Sequence, residues 1–107
     1  MGMNFILVEV VIVNIDVIIE QISYLIYLLS LPSVDVCLSS YACADDVIKD
    51  LELLEKGIIA QDKDAIDQLL YLLKPTADLQ EISISSGWGE EFLVIANIIE
   101  DELGKHY

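Results

Sequence analysis

The chain has 107 residues, 55% of them hydrophobic, and its nineteen Asp and Glu face five Lys and no Arg, for a net charge of -14. A surface this acidic repels nucleic acid and anionic lipid and favours a basic protein partner. The apolar content excludes a disordered acidic tail, and the length suits a single helical domain over residues 1–107.

Placed on a helix, Glu9, Asp16 and Glu20 fall within ~40° of one another, and Ser23 and Tyr27 continue the stripe. Nearly everything else over residues 5–31 is apolar. This predicts a long helix walled in by other helices, capped by Asn4 and ended by Pro32. The β-branched run at residues 10–13 leaves an alternative, a strand to about Val13 followed by a helix. No membrane span or secretory leader is expected, because Glu9, Asp16 and Glu20 interrupt the stretch and no Lys or Arg flanks it.

Residues 33–40 read as a turn or loose connection, followed by a helix over residues 41–56. Its inner face is Ala44, Val47, Ile48, Leu51 and Leu54; Asp45 with Lys49 and Glu52 with Lys56 have the spacing of helical ion pairs. Gly57 is placed to stop that helix in a left-handed conformation. Asp62 or Asp64 can cap a third helix, with Asp67 in its first turns. Its buried face is Ile66, Leu69, Leu70, Leu72 and Leu73, and Pro75 closes it.

Residues 76–86 read as a connection with a short helical turn around Leu79, or as an extended segment from the alternation of Ile82, Ser83, Ile84 and Ser85. A last helix starts near Trp88, with Ser86 as cap and Glu90 and Glu91 in its first turn. Phe92, Leu93, Ile95, Ala96, Ile98, Ile99 and Leu103 form its core side, and Gly104 follows its end. The fold class is therefore all-α, a small antiparallel helical bundle of four to five helices.

Nothing in the chain spells out an active site. Cys37 and Cys43 have no C-x-x-C spacing and read as reduced thiols of a cytoplasmic protein; His106 is penultimate and has no assigned role. The run Asp62, Lys63, Asp64, Asp67 lacks a calcium loop's central glycine, Asp67 standing there, and ends on Leu73 instead of Glu. The Gly87, Trp88, Gly89 cluster is followed by acids, which repel phosphate. The expectation is no enzyme, no cofactor and no metal.

The acids themselves are more informative. Asp46 and Asp50 are like charges one helical turn apart, and Glu100, Asp101 and Glu102 lie at the end of a helix that disfavours acid. Local rules broken in this way often mark a binding surface. Trp88 has two readings, packing against a neighbouring helix or serving as an aromatic anchor beside Glu90 and Glu91. Tyr24, Tyr27, Tyr41 and Tyr71 read as core-edge residues with a wet hydroxyl.

The run Pro75, Thr76, Ala77, Asp78, Leu79, Gln80, Glu81, Ile82, leading to Gly87, Trp88, Gly89, Glu90, Glu91, Phe92, resembles the C-terminal segment of small acidic bacterial immunity proteins of contact-dependent growth inhibition systems. The resemblance covers about the last third of the chain. It implies a protein that neutralises a cognate basic toxin domain, expected to be a nuclease, by covering its cleft. The expected contact surface is Asp45, Asp46, Asp50, Glu81, Trp88, Glu90 and Glu91, on a monomer or weak dimer that touches no nucleic acid or membrane directly. Two rivals stand beside this reading: an acidic helical adaptor or chaperone for a basic protein, and a DNA mimic with carboxylates in rows.

Overall fold

Residues 5–8, 11–75 and 77–104 are described by the computed structural model. Two short strands, β1 (Phe5–Val8) and β2 (Val11–Asn14), pair antiparallel, Phe5 opposite Asn14 and Val8 opposite Val11. The helix α1 (Ile15–Leu29) begins only where Asn14, still extended, accepts a hydrogen bond from the Asp16 N–H at 3.0 Å. The strand-then-helix alternative thus replaces the single long helix. Asn14 supplies the cap that a helix start needs, and the β-branched residues before it suit strands. The expected cap Asn4 and the stripe residue Glu9 lie outside the described residues.

Along α1, Ile15, Ile18, Ile22, Leu25, Leu28 and Leu29 are buried, while Glu20, Ser23, Tyr24 and Tyr27 are exposed and Asp16 is half-buried. That narrow solvated stripe follows the helical spacing read from the sequence. The helix ends before Pro32, as expected, with the Ser30 N–H donating to the Ile26 carbonyl at 3.1 Å.

Helix α2 (Ala44–Ile59) buries Val47, Leu51, Leu54 and Ile58 and runs through Gly57 instead of stopping there. The left-handed residue is Gln61, at φ 64°, and the Asp62 N–H returns to the Gly57 carbonyl at 2.9 Å. Gly57 serves packing: a Cβ built on it would sit 2.6 Å from the Cβ of Ala65 on α3 (Lys63–Leu72). The side chains of Asp45, Lys49, Glu52 and Lys56 are all exposed, and neither expected ion pair closes. Exposed pairs gain so little Coulomb energy in water that side-chain entropy cancels it.

Asp62 caps α3 as anticipated, accepting from the Asp64 N–H at 3.0 Å, and Ile66, Leu69 and Leu73 enter the core. Residues 78–86, read as a connection, form a further helix, α4 (Asp78–Ser86). Leu79, Ile82 and Ser83 are its buried face, a spacing that the Ser/Ile alternation obscures. Ser83 is fully buried because its hydroxyl donates to the Gln80 carbonyl at 2.7 Å, which satisfies the group inside the helix.

The last helix, α5 (Gly89–Gly104), buries Phe92, Ile95, Ala96, Ile99 and Leu103. Leu93, expected in the core, faces solvent, and Ile98 is half-buried. Ser86 does not cap this helix; its Oγ accepts from the Asp35 N–H at 2.8 Å.

Helix α1 packs between α2 and α5, with α3 against α2 and α4 against α5. The result among the described residues is a small all-α bundle of five helices preceded by the hairpin, its buried side chains forming one cluster. Each fully buried Leu or Ile in that cluster contributes on the order of 1.5–3 kcal/mol. The Asn14 N–H, at the start of α1, donates to the Glu102 carboxylate at 3.1 Å, so α1 and α5 meet end to start. Glu102 is therefore not an uncompensated charge: it sits at the positive end of α1's dipole. No helix among the described residues is long and apolar enough to cross a membrane.

Candidate functional site

The turn between α4 and α5 builds the most distinctive surface. Gly87 adopts φ 87°, open to glycine without penalty. A Cβ added there would meet no atom within 4 Å, so backbone conformation alone demands the glycine. The Gly87 N–H donates to the Ile84 carbonyl at 3.2 Å and the Trp88 N–H to the Ser83 carbonyl at 2.9 Å, which closes α4 and reverses the chain.

That reversal sends Trp88 inward. Only 5% of it is exposed, so it offers almost no area to a partner and the aromatic-anchor reading gives way to the packing one. Its indole N–H is buried with no hydrogen-bond partner among the described residues. Such a group costs about 1–3 kcal/mol, offset by burial of the ring. As the chain's one tryptophan, it should emit at short wavelength and resist quenching by neutral acrylamide; emission near that of free indole in water would contradict this packing.

The same reversal sends Glu90 and Glu91 outward at the first turn of α5, where the helix dipole stabilises carboxylates. With Gln80, Ile84 and Leu93 they line an open notch of about 430 Å³ between the two helices. Ile84 is 61% exposed and Leu93 51%, so apolar carbon and carboxylate share this surface.

A second acidic group lies on α2. Asp45 and Asp46 stand in its first turn and Asp50 one turn on; Asp46 is half-buried and the others exposed. The Tyr41 hydroxyl donates to Asp50 at 2.7 Å, which relieves part of the Asp46–Asp50 repulsion. Next to it, the Ser40 N–H donates to the Asp78 carboxylate at 3.1 Å and the Ser40 hydroxyl to its other oxygen. Partial burial, then the Asp50 hydrogen bond and the charges of Asp50 and Asp78, push the Tyr41 phenol well above its usual range. Adjacent loop residues thus hold α2 and α4 together and bring Asp50 and Asp78 to one place. Glu81, one turn beyond Asp78, is half-buried.

Of the residues expected at a contact surface, Asp45, Asp46 and Asp50 therefore form one group and Glu81, Glu90 and Glu91 lie on the adjoining helices. Trp88 belongs to the core. Asp78, Tyr41, Ile84 and Leu93 enter this surface without a signal in the sequence, the Ser40–Asp78 contact joining residues 38 apart.

Cys37 and Cys43 are exposed free thiols. The Asp35 carboxylate accepts the Cys37 backbone N–H at 2.9 Å. Its hydrogen bond with the thiol, and then its charge, raise the pKa of Cys37, which disfavours the nucleophilic thiolate. No cluster of three or more metal-binding side chains occurs among the described residues. Comparison with family models, curated proteins and solved structures returned no match.

Proposed function

We propose that this protein is an immunity protein that binds and neutralises a basic bacterial toxin domain, of the nuclease class, by covering its substrate cleft with an acidic surface. The observation that supports this reading most strongly is the one-sided charge of its C-terminal helices. From Asp78 to Gly104 the chain carries Asp78, Glu81, Glu90, Glu91, Glu100, Asp101 and Glu102 and no Lys or Arg. A nuclease cleft must be basic to hold its substrate, so such a surface is attracted to it from a distance and docks with charge complementarity. Inhibition by occlusion asks for no chemistry from the inhibitor.

The acidic adaptor reading uses the same surface for a basic peptide instead of a folded domain, and the apolar notch between α4 and α5 favours it where a short segment is the partner. Co-expression with the product of the adjacent gene separates the two. Rescue of growth, with a complex that co-purifies at low salt and loosens at high salt, is the expected result. Growth arrest despite soluble expression of this chain would reject immunity against that toxin and leave the adaptor reading ahead.

A further inference from the structure

We infer that the α4–α5 notch is the docking point for a bulky apolar side chain carried on a Lys/Arg-rich segment of the partner. This inference rests on the acidic-surface reading and gives it an address. Ile84 and Leu93 line the notch, both with more than half of their surface open to water. Glu90 and Glu91 line the same notch, and no basic residue occurs on either helix. An apolar partner without positive charge would strip water from two carboxylates and return nothing for it. A basic partner without an apolar side chain would leave Ile84 and Leu93 wet.

Only a segment combining both matches what the notch presents: its apolar side chain covers Ile84 and Leu93 while flanking ammonium or guanidinium groups meet Glu90 and Glu91. The turn that positions these residues is fixed, because Gly87 and the two backbone hydrogen bonds closing α4 set the angle between the helices. Binding then carries little ordering cost, which favours a single anchor at this point.

Two short peptides test this on the whole protein, one of lysines with a central pair of leucines, the other all lysine at equal length. The leucine peptide should bind about tenfold more tightly or better, the gain expected for burying one large apolar side chain. Its addition should shift the NMR methyl signals of Ile84 and Leu93. Leu93→Ser and Ile84→Ser should each erase the preference, whereas Leu53→Ser, at a still more exposed leucine on α2, should keep it. Equal binding of both peptides would overturn the notch and leave the acidic surface standing. Loss of the preference in Leu53→Ser, or methyl shifts confined to α2, would place the anchor elsewhere and overturn it too. Failure of both peptides to bind would remove the acidic-surface reading with it.

Discussion

Gly57→Ala should destabilise the fold by about 2 kcal/mol, although alanine is the better helix former. At an ordinary exposed helical position the same change stabilises by ~1 kcal/mol. Here the new methyl would lie 2.6 Å from the Ala65 Cβ, far inside van der Waals contact, and Ala65 has no flexible end to move away. Helices α2 and α3 must separate to admit it, loosening Ile58 and Ile66, both fully buried. Adding Ala65→Gly should recover most of the loss, with a coupling of about 1–2 kcal/mol in a double-mutant cycle read from urea unfolding. A Gly57→Ala variant more stable than the parent would show that the two helices do not approach this closely.

Reversing Asp45, Glu90 and Glu91 to lysine should slow association with the toxin domain by about tenfold and lower the stability of the fold by only about 1–3 kcal/mol, the loss expected from putting cations in helix first turns. All three are exposed and make no hydrogen bond among the described residues, so the fold loses only their favourable interaction with the helix dipoles. Long-range attraction accelerates encounter by roughly 10–10³-fold, and it is this term that the reversal weakens by removing three of the nineteen acids. The parent's association rate should fall steeply as salt rises above ~0.1 M, where the Debye length drops below about 10 Å, and the reversed variant should respond less steeply. An association rate indifferent to both reversal and salt would end the electrostatic account. Asp50 and Asp78 are poor choices for this experiment, because each holds the loop through Tyr41 or Ser40.

What the chain reveals without coordinates follows from the range of the forces involved. The cap of α3 at Asp62, the inner faces of α2 and α3 and the solvated stripe of α1 are set by residues within one or two turns, and their spacing is readable. The start of α1 is less so, because residues 10–13 suit a strand and a buried helix alike until Asn14 supplies a cap. The helical character of α4 is hidden by Ser83, a polar residue in a core position that satisfies its hydroxyl within its own helix. The left-handed position falls on Gln61 and not on the expected Gly57, because the close approach of α3 that Gly57 serves has no counterpart in the local sequence. The candidate surface was legible only as a set of acids. Which of them adjoin apolar carbon depends on the α4–α5 turn, and the same turn takes Trp88 out of that surface.

The bond from the Asn14 N–H to Glu102 spans 88 positions of the chain. At about 5–20 residues per second, a ribosome needs roughly 4 to 18 s to deliver the second partner after the first. Throughout that interval α1, the most apolar helix, has emerged without α5 to cover it. Until then only α2 and α3 are available to cover the apolar side of α1, and the contact that joins the two ends of the fold is among the last that synthesis permits.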